Sequence, residues 1–165
     1  MKRFLRTGPA VGLCLAALGL LGVAGAIAAE APPTPEEQAK AAVDVRQSIL
    51  KLQDWNMAPM ANMLRRRAPF DAKLVQKNAE RIAALSEMLP DAFKPDTTKF
   101  DVKTDALPLI WQQKDDFDKK AAALTEAAKA LAMTAAGGDQ GMTFPAIVTV
   151  GKACGACHDK FKKQE

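Results

Sequence analysis

The chain has 165 residues, 48% of them hydrophobic and 25% charged, a balance that excludes a disordered or fibrous protein and fits one domain with one core. Its formal charge of +4 invites a polyanionic partner, but the excess sits at the extreme N-terminus and does not survive a closer look.

Lys2, Arg3 and Arg6 precede an apolar run from Val11 to Ala28 that ends in the small-x-small pattern Ala26-Ile27-Ala28. This is the layout of a secretory signal peptide over residues 1–28, cleaved near Ala28 or Ala29. A retained anchor wants ~20 apolar residues and less glycine. Cys14 sits too early in the run, behind the bulky Leu13, to be a lipoprotein cysteine. Cleavage leaves residues 29–165 as the mature domain, in the periplasm and with no membrane segment. It removes three basic residues and no acidic one, so the net charge falls to about +1 and gives no ground for nucleic-acid binding.

Thr34-Pro35-Glu36-Glu37 opens the first helix, with Thr34 as N-cap, Pro35 at the first helical position and Glu37 closing a capping box. The helix runs into the region of Met57 to Leu64, where Pro59 predicts a kink or early break. After Arg65-Arg66-Arg67 and Pro69, Asp71 caps a second helix with Leu74, Val75, Ile82 and Leu85 at helical spacing, stopped by Pro90. Residues 91–103 read as a loop. A third helix starts around Asp105 to Pro108, keeps a seven-residue rhythm through Ile110, Phe117, Leu124 and Leu131, and ends at Gly137-Gly138. Asp139 or Thr143 caps a fourth, with Pro145 in its opening turns. The predicted fold class is all-α, an antiparallel four-helix bundle.

The fourth helix carries Cys154-Gly155-Ala156-Cys157-His158, the Cys-x-x-Cys-His pattern of c-type haem attachment. Two thiols one helical turn apart can add to the two vinyl groups of one haem edge, and the next residue offers its imidazole to the iron from the same side. A closed zinc site wants four Cys or His ligands, and outside the motif only Cys14 remains. A thioredoxin-like pair would need a βαβ context that is absent here, and a disulfide one turn apart closes almost no loop. The pattern therefore predicts one covalent haem c near the C-terminus, with His158 as the metal ligand. His158 is the sole histidine, so no second imidazole can occupy the opposite face. A bound porphyrin also supplies apolar bulk to a chain only 5% aromatic.

Placed near the C-terminal end of a four-helix chain, this motif resembles that of cytochrome c′, the class II c-type cytochromes. Three other segments are similar to that family: Arg46-Gln47-Ser48-x-Leu50, Ala68-Pro69-Phe70-Asp71-Ala72, and Asp105-Ala106-Leu107-Pro108-Leu109-Ile110-Trp111. The resemblance implies that Arg46 pairs with a haem propionate, that Gln47 and Asp105 add hydrogen bonds at the haem edge, and that Leu50 stands over the iron. Helical spacing agrees with the last point, since residues i and i+4 share a face. Low-spin relatives place a methionine there; leucine cannot ligate. Met57 lies seven residues beyond Leu50, roughly 10 Å along the helix, and Met57, Met60, Met63, Met88, Met133 and Met142 are all expected to be packing residues.

The resemblance thus implies a five-coordinate, high-spin haem with an apolar distal side, able to bind nitric oxide or carbon monoxide and to carry electrons. A low-spin carrier with a methionine sixth ligand is the alternative. A haem enzyme such as a peroxidase would need a polar distal acid–base group, so the chain is read as no enzyme. A periplasmic redox protein and a second copy, through the first two helices, are the implied partners. One departure stands out: many relatives carry arginine four residues after the haem histidine, and this chain has Lys162, which lacks the planar guanidinium fork.

Overall fold

Helix α1 runs unbroken from Pro35 to Leu64 in a computed structural model that describes residues 31–164. The leader expected over residues 1–28, with Cys14, lies outside them. The α1 start is the expected capping box: Glu37 N–H donates to Thr34 Oγ1, and Thr34 N–H donates to Glu37 Oε2 at 2.7 Å. Its buried positions, Ala39, Val43, Arg46, Ile49, Gln53, Asn56, Met60 and Met63, step by three and four residues, the seam of a bundle helix. Pro59 does not break it. Its missing N–H removes one intrahelical bond close to the C-terminus, and the burial of Met60 and Met63 on either side of the next turn holds the helix in place.

Helix α2 spans Ala72–Glu87 and is capped by Asp71, whose carboxylate accepts from Leu74 N–H at 3.0 Å. Pro90 ends it as expected, yet a single further turn, α3, follows at Leu89–Ala92 with that proline at its start. The third predicted helix is divided. A one-turn α4 at Leu109–Gln112 is separated from the long α5 at Lys114–Ala136 by Gln113, which leaves the helical region at φ −128° and ψ 48°. Helix α5 ends at Gly137, and Gly138 takes a positive φ of 75° to turn the chain. Helix α6, Gln140–Phe161, is capped by Asp139 rather than Thr143: Met142 N–H donates to Asp139 Oδ1 at 2.8 Å.

The four long helices form an antiparallel four-helix bundle. Among the described residues the extended structure amounts to one bridge, where Ala106 pairs with Lys162. It is held by Leu107 N–H donating to Phe161 O at 2.9 Å and Lys163 N–H donating to Asp105 O at 2.8 Å.

The core has two halves. One packs Met60 and Met63 with Val75, Ile82, Leu131, Ile147 and Val150 at the end where α1 meets α2 and α5 meets α6. The other gathers Ile49, Leu89, Phe93, Ile110, Phe117 and Phe161 near the C-terminus of α6. The first half is fully enclosed at its centre: Leu131, Ile147 and Val150 are each 0% exposed. Leu131→Ala should therefore lower unfolding stability by about 2–5 kcal/mol, measured by denaturant titration of the haem-loaded protein, since that side chain has packed neighbours on every side. The second half is left open by a cleft.

Three methionines depart from expectation. Met60 and Met63 are buried packing residues, but Met88, Met133 and Met142 are 50%, 72% and 66% exposed. On α5 and α6 the seven-residue seam passes them by, and Met88 sits at the C-cap of α2 facing outward.

Candidate functional site

The cleft in the second half measures about 330 Å³ and lies between α1, the 104–106 segment and the C-terminal turns of α6. Leu50, Leu89, Phe93, Ile110, Phe117, Leu124 and Phe161 make its walls hydrocarbon. Cys154, Cys157 and His158 all face it from α6, and Leu50 faces it from α1. The two cysteines are free and half-buried, one helical turn apart. Burial pushes both thiols above their ordinary range; for Cys157 the nearby Lys120 pulls back in part. Among the described residues no cluster of three or more His, Cys, Asp or Glu side chains could hold a bare metal ion.

The wall around Arg46 is the part the sequence conceals. The side chain is 2% exposed. Its Nε donates to Ala92 O at 2.8 Å, Nη1 to Thr97 Oγ1 at 2.9 Å, and Nη2 to Pro95 O. The guanidinium lies over the rings of Phe93 and Trp111, at 4.8 Å and 5.2 Å from their centroids. Trp111 Nε1 donates to Phe93 O and Pro95 O, tying the same loop a second time. Arg46 thus fastens the loop after α3 to α1 through neutral acceptors, and burial pulls its pKa down, with Asp96 opposing. No carboxylate lies within ion-pair distance of it among the described residues. A buried cation without an anion, one N–H still unused on each terminal nitrogen and one side on the cleft, is a ready partner for a carboxylate inside it.

The mouth is polar. Gln47 Nε2 donates to Lys103 O at 3.2 Å, and Asp105 is exposed at the rim with its backbone carbonyl taken by Lys163. Lys160 Nζ meets Asp116 Oδ2 at 2.9 Å, linking the end of α6 to α5. All seven sequence-predicted site residues, Arg46, Gln47, Leu50, Asp105, Cys154, Cys157 and His158, line this one cleft.

The family profile of cytochrome c′ matches residues 41–162. The chain belongs to the cytochrome c′ family. It is 35% identical over 124 residues to the cytochrome c′ of Pararhodospirillum photometricum, a match covering 75% of this chain and 98% of that one. Cytochrome c prime from Shewanella frigidimarina superposes with a TM-score of 0.71 at 38% identity, covering 78% of this chain and 98% of the other. A nitric oxide complex of a leucine-to-alanine variant of cytochrome c prime from Alcaligenes xylosoxidans is similar too, with a TM-score of 0.68 at 31% identity over 77% of this chain and 97% of the other.

As a member of the cytochrome c′ family the chain is a haem c protein, its prosthetic group covalently bound and carrying iron. The residues fit that group: paired thiols on one turn, an imidazole beside them, hydrocarbon walls and an uncompensated buried guanidinium. The wall residue Phe93 was not foreseen. Phe93 falls in a stretch with no helical period, and Pro90 marks a helix end without saying which way the chain folds next. No described helix is long and apolar enough to cross a membrane.

Proposed function

We propose that the chain is a periplasmic haem protein with a five-coordinate, high-spin centre that binds nitric oxide or carbon monoxide and transfers electrons. The observation behind this reading is the lining of the cleft that holds His158. Leu50 belongs to it, and no methionine among the described residues does. Met57 instead points toward Gly151 of α6, its Cε at ordinary contact distance from where a Cβ would stand.

Each residue then has a task. Cys154 and Cys157 hold the group covalently, and His158 ligates its iron. Arg46 neutralises a propionate, with Gln47 and Asp105 adding hydrogen bonds at the mouth. Leu50 excludes water and any donor side chain from the far face. When bound, the haem would supply an iron redox couple and a site for a diatomic ligand. The hydrocarbon of Leu50 offers no hydrogen-bond donor, and the buried amide of Gln53 in the same lining is turned to Ser86 Oγ at 2.9 Å, which disfavours dioxygen and leaves nitric oxide and carbon monoxide, which need none. The nitric oxide complex of the Alcaligenes relative supports this choice of ligand.

The leader over residues 1–28 delivers the domain 29–165 to the periplasm. On α1, Val45, Leu52 and Trp55 are 51%, 48% and 64% exposed on the face away from the core, a stripe suited to a second copy. The test is electron paramagnetic resonance of the ferric protein. An axial high-spin signal at neutral pH is expected, replaced in the reduced protein by a nitrosyl signal when nitric oxide is added. A low-spin ferric signal that ignores both gases would leave only an electron shuttle.

A further inference from the structure

The end of the bundle remote from the haem motif carries a second concavity. Helix α1 ends in a Schellman turn, with Arg66 N–H donating to Met63 O at 3.0 Å and Arg67 N–H to Asn62 O at 2.9 Å. The residue just past the cap of such a turn takes left-handed backbone, and glycine is its usual occupant. Here it is Arg66, with φ 57°, the one non-glycine residue at positive φ among those described. A side chain there is strained relative to glycine. The backbone favours glycine at this point, yet the chain places a guanidinium.

That guanidinium lines a cleft of about 650 Å³ together with Arg67, Met63, Phe70, Gln140 and Phe144. Phe70 and Phe144 meet edge to face with centroids 5.6 Å apart. Arg65, Arg66 and Arg67 are all exposed, and none has a carboxylate within ion-pair distance among the described residues. The acids that open the two adjoining helices are engaged: Asp71 caps α2 and Asp139 caps α6.

We propose that this cleft is a phosphate-binding site. The guanidiniums of Arg66 and Arg67 take the phosphate of a phosphoester, and Phe70 and Phe144 carry the apolar remainder of the ligand. Planar forks match two phosphate oxygens at once, and two adjacent positive charges match a dianion. The phosphate comes from a soluble ester or from a lipid headgroup. Fourteen residues of α6 separate Gln140 from Cys154, roughly 21 Å at the helical rise, so ligand binding there leaves the haem spectrum unchanged.

The experiment uses the haem-loaded protein, with phenyl phosphate as the soluble probe, phosphatidylglycerol vesicles as the lipid probe and phosphatidylcholine vesicles as control. Wild type should unfold several degrees higher with saturating phenyl phosphate, or sediment with phosphatidylglycerol vesicles alone, the signal weakening as salt rises. Response to the first assigns a soluble ester, to the second a headgroup. Arg66→Gly should raise the unliganded melting temperature by roughly 2–6 °C while losing at least tenfold in affinity. Arg66→Asn, which tolerates left-handed backbone without a charge, should lose affinity as well. Wild type indifferent to both probes, or Arg66→Gly binding as tightly as wild type, overturns the proposal.

Discussion

Leu50→Met is expected to convert the ferric haem from high-spin to low-spin and to abolish the response to carbon monoxide. The swap conserves volume, so the bundle should lose less than about 1.5 kcal/mol, and the new thioether starts from a position already lining the cleft that holds His158. Leu50→Ala works in the other direction. It removes hydrocarbon from the roof without adding a ligand, so capture of nitric oxide and carbon monoxide should accelerate about tenfold or more, each ~1.4 kcal/mol off the barrier being a decade. Stopped-flow mixing and the ferric spectrum read the two outcomes. Gas binding unmoved by either substitution would place Leu50 away from the iron and undo the five-coordinate reading.

Replacing both Cys154 and Cys157 by serine should leave no haem attached after acid–acetone extraction, whereas either single substitution should retain one thioether and a shifted pyridine haemochrome band. The double variant loses more than a tether. The second half of the core borders an open cleft, and Leu50, the cleft residue still 39% exposed, forgoes part of the ~1.5–3 kcal/mol that full burial provides when nothing fills it. The haem-free chain should melt roughly 10 °C or more below the loaded one, read by circular dichroism. Equal melting temperatures would mean that the cleft closes on itself and that the haem adds nothing to the fold.

The cysteine pair, the single histidine and the caps Thr34, Asp71 and Asp139 were legible because each is a local device, satisfied within one turn of chain. The two-halved core was not, nor was the role of Arg46. Its partners Ala92, Pro95 and Thr97 lie about fifty residues away, and two of the three accept through backbone carbonyls, which no side-chain identity announces. Gln113 interrupts the third predicted helix although nothing in its side chain forbids a helix there. Lys114 Nζ, beside it, donates to Pro90 O from another element and to Asp118 within its own helix, and the first of these is a tertiary contact that propensity does not register. Pro59 failed as a break for the same kind of reason: its local penalty was outweighed by the burial of Asn56, Met60 and Met63 around it.

Helix α6 threads both halves of the core, its first turns fixed in one and its last turns in the other. The attachment turn comes after the other three long helices along the chain, so every surface it packs against precedes it in the order of synthesis.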